Sequence, residues 1–196
     1  VYRETKAGMA RRQDARQQLL VAARSLLREG GFAALQVAAV AERAGMAIGS
    51  VYRHFEGKAA LCVEVFEEGS QREVDRLATQ VSGGTVASLR EAIIDWCKRA
   101  QAGRVQAWAL LGEPVGPEVE AARLRYRRRY ADVLQGALER LMASGELPPQ
   151  DARVAASGVV GALGESVLGP HGDPDPDAVA SFCLRALGAE VLHVDP

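Results

Sequence analysis

Apolar residues recur at three- and four-residue intervals along nearly the whole chain, the spacing of helices that bury one side. Leu19, Leu20, Ala23, Leu26 and Leu27 predict a first helix over residues 11–29, stopped by Gly30 and Gly31, after which Phe32 packs back onto it. Val37, Val40, Ala41 and Ala44 mark a short helix over residues 37–44. Gly45 supplies a tight turn and residues 47–55 a third short helix. A long helix over residues 57–79 carries Leu61, Val65, Phe66, Val74 and Leu77, and the run Ser82, Gly83, Gly84 breaks it. Further helices are expected over 86–102, 105–111, 118–144, 149–168 and 178–192, with a Pro/Asp/Gly loop before the last. Residues 1–10 show no apolar period and read as a flexible basic arm.

Composition agrees with an all-α fold: the chain has 48% apolar residues, abundant Ala, Leu, Glu and Arg, and only 5% aromatics. Its 196 residues suffice for a small head on a larger body. No apolar run reaches the ~20 residues of a membrane span and no leader pattern opens the chain, so no membrane partner is expected. Three scattered cysteines, Cys62, Cys97 and Cys183, argue against a disulfide framework and for the reducing cytoplasm. Residues 1–60 hold 10 Lys/Arg against 5 Asp/Glu, while the rest hold 14 against 20. A basic head on an acidic body implies that the head alone meets a polyanion. The histidines His54, His171 and His193 stand apart, so no metal site and no cofactor are expected. Without an assembled acid/base pair, nucleophile elbow or phosphate loop, no enzymatic activity is expected either.

The stretch from Gly45 to Leu61 narrows the reading further. Ala47, Gly49 and Ser50 make the start of the third helix slim enough to enter a DNA major groove, with Tyr52, Arg53 and His54 following. Gly31-Phe32, Val37, Val40-Ala41, Ala44-Gly45, Gly49, Val51-Tyr52, His54-Phe55, Lys58 and Leu61 resemble the N-terminal domain of the TetR/AcrR regulators. The ordered match runs over residues 11–66, and the Tyr-x-His-Phe-x-x-Lys-x-x-Leu run is its most specific part. The resemblance implies residues 11–56 as a helix-turn-helix domain, 57–82 as a connecting helix, and 83–196 as an effector-binding and dimerisation domain. It further implies a homodimeric transcriptional repressor that leaves a palindromic double-stranded DNA operator when a small-molecule effector binds.

Within that frame Tyr52, His54 and Lys58 are expected at phosphates, and Phe55 and Leu61 as core plugs. Ala47 and Ile48 are expected at thymine methyls, with hydrogen bonds from Ser50, Arg53 or Gln36; Arg53 fits base or phosphate equally. Gln36 and Ala47 stand where the family has capping hydroxyls, a loss of roughly 0.5–2 kcal/mol each. Those departures keep open an alternative: a helical small-molecule-binding or enzymatic protein whose helix-turn-helix no longer binds DNA. An effector pocket is expected among Trp96, Cys97, Trp108, Arg123, Tyr126, Arg129 and Tyr130, walls that serve equally as plain core. On a 100° wheel, Arg125, Arg127 and Arg128 point away from the apolar stripe of their helix, while Arg123 and Arg129 flank it. Val154, Gly158, Gly161, Ala162, Val179, Phe182 and Leu187 on the last two helices are expected at the dimer interface.

Overall fold

The computed structural model describes residues 6–169 and 173–189, with the backbone alone at residues 6 and 7. Among these residues the chain folds into helices α1 (Lys6–Gly30), α2 (Val37–Arg43), α3 (Ile48–His54), α4 (Lys58–Gln80), α5 (Val86–Ala102), α6 (Arg104–Leu111), α7 (Pro117–Ala143), α8 (Ala152–Leu168) and α9 (Pro176–Ala186). Single 3-10 turns at Phe32–Ala34 and Val81–Gly83 follow α1 and α4.

The ends of the helices follow from their local chemistry. Thr85 and Ser88 form a reciprocal capping box at the start of α5, at 3.1 and 3.3 Å. Asp151 accepts from the Arg153 and Val154 amides at the start of α8, and Asp175 from the Asp177 amide at α9. Pro117 opens α7 at a position where its missing N–H costs nothing. By contrast, Gln36 and Ala47 make no side-chain cap at α2 and α3. Gln36 instead donates to the Ala33 carbonyl at 2.9 Å.

Two boundaries differ from the sequence expectation by more than three residues. The first helix begins at Lys6, so residues 6–10 of the expected flexible arm are helical; residues 1–5 lie outside the described residues. Lys6, Ala7, Met9 and Ala10 are good helix formers by type, but they form no apolar stripe and Met9 is 49% exposed, so the sequence shows no period there. The final helix stops at Ala186 rather than running to 192, because Gly188 takes a left-handed φ of 75°. The expected placement of Val191 on that helix lies outside the described residues.

Leu19, Ala23, Phe32, Leu35, Val40, Val51, Phe55, Leu61 and Val65 form one continuous core under α1–α4 that extends to Ala109, Val119, Ala122 and Tyr126 of the body. Phe55 at 4% exposure and Leu61 at 0% are the plugs expected beneath α3. A second core joins Leu77, Leu89, Ile93, Cys97, Leu134, Leu138, Leu141, Val159, Cys183 and Leu184. Helices α4 and α7 pack along one another and contribute to both cores, which ties the head's position to the body.

Candidate nucleic-acid interface and ligand cavity

Gly45, at φ 66°, turns the chain between α2 and α3, with the Met46 amide closing onto the Ala41 carbonyl at 2.9 Å. Val51 (0% exposed) anchors the inner side of α3. Its outer side presents Ile48, Gly49, Tyr52 and Arg53 to solvent, with Ile48 50% and Tyr52 59% exposed. Gln36, Ala47 and Lys58 are exposed, and Ser50 and His54 half-buried. Arg53 Nη2 donates to Ser50 Oγ at 2.7 Å, so these two candidate base readers are held together on one helix face.

The head is braced behind this surface. Arg16 forms a bidentate ion pair with Glu64 and lies 5.1 Å from the centroid of the Phe55 ring, joining α1, α4 and the residue after α3. Arg43 grips Glu29 at 2.6 and 2.8 Å, fixing α2 on α1. The Arg43 and Ser25 hydrogen bonds bring the exposed Glu29 carboxyl down to about 2. Burial, then the charges of Arg12, Arg16 and Arg53, push the His54 imidazole below its ordinary value. Its environment therefore favours the neutral ring until an anion arrives.

Away from the head, α4–α8 enclose a cavity of about 1130 Å³. Phe66 and Leu77 of α4, Ile93 and Trp96 of α5, Leu110 of α6, Tyr126, Tyr130 and Leu134 of α7, and Val160, Leu163 and Leu168 of α8 give it apolar walls. Glu73 and Arg99 form an ion pair in the wall at 2.8 Å. Burial, then the nearby Glu73 charge, raises the Tyr130 phenol well above its usual range. Arg123, only 7% exposed, lines the cavity while donating to the carbonyls of Leu110, Ala109 and Glu113 at 3.0, 3.2 and 2.9 Å. Exposed Arg127, Arg128 and Arg153 stand on its rim without an ion-pair partner among the described residues.

Of the expected pocket residues, Trp96, Arg123, Tyr126 and Tyr130 line this cavity and three others do not. Cys97 is buried on the side of α5 that packs against Cys183 and α9. Trp108 is 47% exposed, because eight-residue α6 turns Ala109 inward and carries its neighbour outward. Arg129 lies outside, its guanidinium 5.0 Å from the centroid of the Tyr126 ring. Sequence reading placed Phe66 and Leu77 of α4 only on the apolar side of a helix and showed no sign of Ser70 or of the α8 wall in the cavity.

The expected interface residues also divide. Val154 (64%), Phe182 (56%), Gly158 and Gly161 are exposed, and Ala162 is half-buried. Val179 and Leu187 are 8% and 3% exposed within the chain's own core, and Gly161 also lines the cavity. A groove of about 380 Å³ runs between α8 and α9 past Val154, Gly158, Ala162 and Phe182. No group of three His, Cys, Asp or Glu able to hold a metal occurs among the described residues, and no described helix is long and apolar enough to cross a membrane.

Comparison with known proteins bears on both head and body. The family described as "Bacterial regulatory proteins, tetR family" matches residues 19–65. The "HTH-type transcriptional repressor KstR" of Mycolicibacterium smegmatis is 35% identical over 88 residues, covering 43% of this chain and 42% of that protein. The chain thus spans about two fifths of the length of that relative. The transcriptional regulator FadR of Bacillus subtilis, solved with stearoyl-CoA, superposes with a TM-score of 0.72 at 23% identity, over 90% of this chain and 99% of that one. SmeT, the repressor of the Stenotrophomonas maltophilia multidrug efflux pump SmeDEF, gives 0.69 at 22% identity, over 87% and 89%. Residues 19–65 accordingly match the tetR family of bacterial regulatory proteins, and the helical chain built on them has the fold of these solved regulators.

Proposed function

We propose that this chain is a cytoplasmic, homodimeric transcriptional repressor that binds a palindromic operator and is released when a small molecule occupies the α4–α8 cavity. The observation that carries the DNA-binding part is the outer face of α3. Among the described residues, and apart from its chain neighbours and its own helix backbone, nothing lies within 4 Å of a Cβ built on Gly49, so the described fold does not require a glycine there. Glycine in a helix costs about 0.5–1 kcal/mol relative to alanine. An exposed glycine flanked by Ile48, Tyr52 and Arg53 is accounted for if an outside body approaches that backbone closely, as a major groove does. Tyr52, His54 and Lys58 then serve phosphates, and Ala47, Ile48, Ser50, Arg53 and Gln36 face bases.

The cavity supports an effector class. Apolar walls, a large volume and unpaired Arg127, Arg128 and Arg153 at the rim suit an elongated apolar molecule with an acidic head. FadR of Bacillus subtilis was solved with stearoyl-CoA, and a fatty acyl thioester fits the same description. Dimerisation is assigned to the exposed residues of α8 and α9, Val154, Gly158 and Phe182.

Selection of duplexes from random sequence with the purified protein, followed by the Gly49→Leu variant, tests this reading. The variant should keep or raise its melting temperature and lose specific binding, because the added side chain meets only the DNA. Undiminished binding by Gly49→Leu contradicts the assignment. Recovery of no specific duplex favours a helical ligand-binding or enzymatic protein, the reading to which the uncapped α2 and α3 point.

A further inference from the structure

The turn between α1 and α2 is capped from the body. Glu113, in the link between α6 and α7, accepts from the Phe32 amide at 2.8 Å and the Ala33 amide at 3.0 Å. The contact is close: a Cβ on Gly31 would stand 2.4 Å from Glu113 Oε2. The peptide of this same residue is held by Arg123, whose Nη2 donates to the Glu113 carbonyl at 2.9 Å. Arg123 also donates to Ala109 and Leu110 at the end of α6 and to Glu120, so four of its five N–H donors are engaged. One buried guanidinium in the cavity wall therefore anchors the residue that caps the head.

We infer that Arg123 and Glu113 are a positioning pair through which the cavity sets the angle of the DNA-binding head, an inference that rests on the DNA-binding reading above. Three of the acceptors holding Arg123 are neutral carbonyls, and charge-assisted hydrogen bonds are roughly twice as strong as neutral ones. An anionic group entering the cavity outcompetes those carbonyls for the guanidinium. The end of α6 and the Glu113 peptide then lose their anchor, and the cap on Phe32 and Ala33 loosens. The ligand acts only through its different contacts with the held and released arrangements. The competing account is local: Arg123 satisfies the last carbonyls of α6, Glu113 satisfies two amides, and neither feels the other.

Hydrogen exchange on the ligand-free full chain separates the two accounts, with affinity for a selected duplex measured alongside. Arg123→Met, which removes the anchor, should raise exchange of the Phe32 and Ala33 amides tenfold or more. Exchange at Leu19 and Val51 in the head core should stay near wild type. Duplex affinity should fall about tenfold, within the usual range of coupling between sites. Arg123→Lys should fall between wild type and Arg123→Met, and Glu113→Gln, which keeps one accepting oxygen, between wild type and Glu113→Ala. Arg123→Met combined with Glu113→Ala should exchange at residues 32 and 33 no faster than Glu113→Ala alone.

Wild-type exchange at residues 32 and 33 in Arg123→Met overturns the inference, as does a uniform rise through the head or full additivity in the double variant. Unchanged duplex affinity in Arg123→Met and Glu113→Ala overturns the link to DNA. If the wild-type protein selects no duplex, the DNA-binding reading fails and the link to DNA fails with it. The exchange results then still decide whether the pair couples cavity to head.

Discussion

Two glycine-to-alanine substitutions should change stability in opposite directions, for reasons read from the backbone. Gly69 sits buried in the middle of α4, and a Cβ there would meet the two Leu110 methyls at 3.6 Å, an ordinary contact. Gly69→Ala removes the helix-interior cost of glycine, about 0.5–1 kcal/mol. For a chain of this size that is a rise of roughly 1–4 °C in melting temperature. Gly188 ends α9 at φ 75°, with a Cβ position 2.6 Å from Pro148 Cγ. Alanine in the left-handed region costs about 1–2 kcal/mol before that clash is counted. Gly188→Ala should therefore lower the midpoint by roughly 4–8 °C, from about 2 kcal/mol lost in all. Calorimetry at one fixed protein concentration reads both, since self-association would make the midpoint depend on concentration. A fall for Gly69→Ala would mean that α4 and α6 lie closer than described; no fall for Gly188→Ala would mean that α9 continues past Ala186.

Three further outcomes follow from the site and the surfaces. Burial and then the nearby arginines hold the His54 pKa below its ordinary value, and a phosphate would raise it on binding. Complex formation should therefore take up a proton, with duplex affinity rising as pH falls from 7 toward 6; His54→Gln should lose that dependence, and a flat wild-type profile would remove His54 from the phosphate contacts. Gly164 lines the cavity, and among the described residues outside its own helix backbone and chain neighbours nothing lies within 4 Å of its Cβ position. Gly164→Leu should fold at least as stably and bind its duplex, yet respond less to palmitoyl-CoA in a release assay; an unchanged response would place the effector elsewhere. Phe182→Glu combined with Val154→Glu should convert the dimer to a 20.9 kDa monomer in light scattering, without loss of helix content, whereas a persistent dimer would shift the interface off α8 and α9.

What the sequence disclosed was mostly local. The run from Tyr52 to Leu61 encodes the end of a short helix, its exposed or half-buried polar side chains and its core plugs within a few turns, so head and family resemblance were readable together. Helix ends were less so. Gly188 sits inside a run of apolar residues whose helical period continues past it, and only the backbone angle reveals the stop. The cavity was half legible. Aromatic residues on α5 and α7 pointed to it, but periodicity gives the face of a helix and not what lies opposite, so Cys97 and Trp108 were placed with Trp96. The same limit applied to α8, where Gly161 borders the cavity while Val154 faces solvent. Glu113 left no signal, because its partners are backbone amides some 80 residues away.

The central claim is that two copies of this head lodge together in neighbouring turns of one duplex. Anisotropy titration of a selected palindromic site, repeated with five and with ten base pairs inserted at its centre, tests it most directly. The account predicts two chains per site. Five added pairs should abolish specific binding by turning one half-site to the opposite face; ten should restore the facing but not full affinity, because the joined bodies fix the reach. Equal affinity for all three spacings, or one chain bound per site, would contradict it.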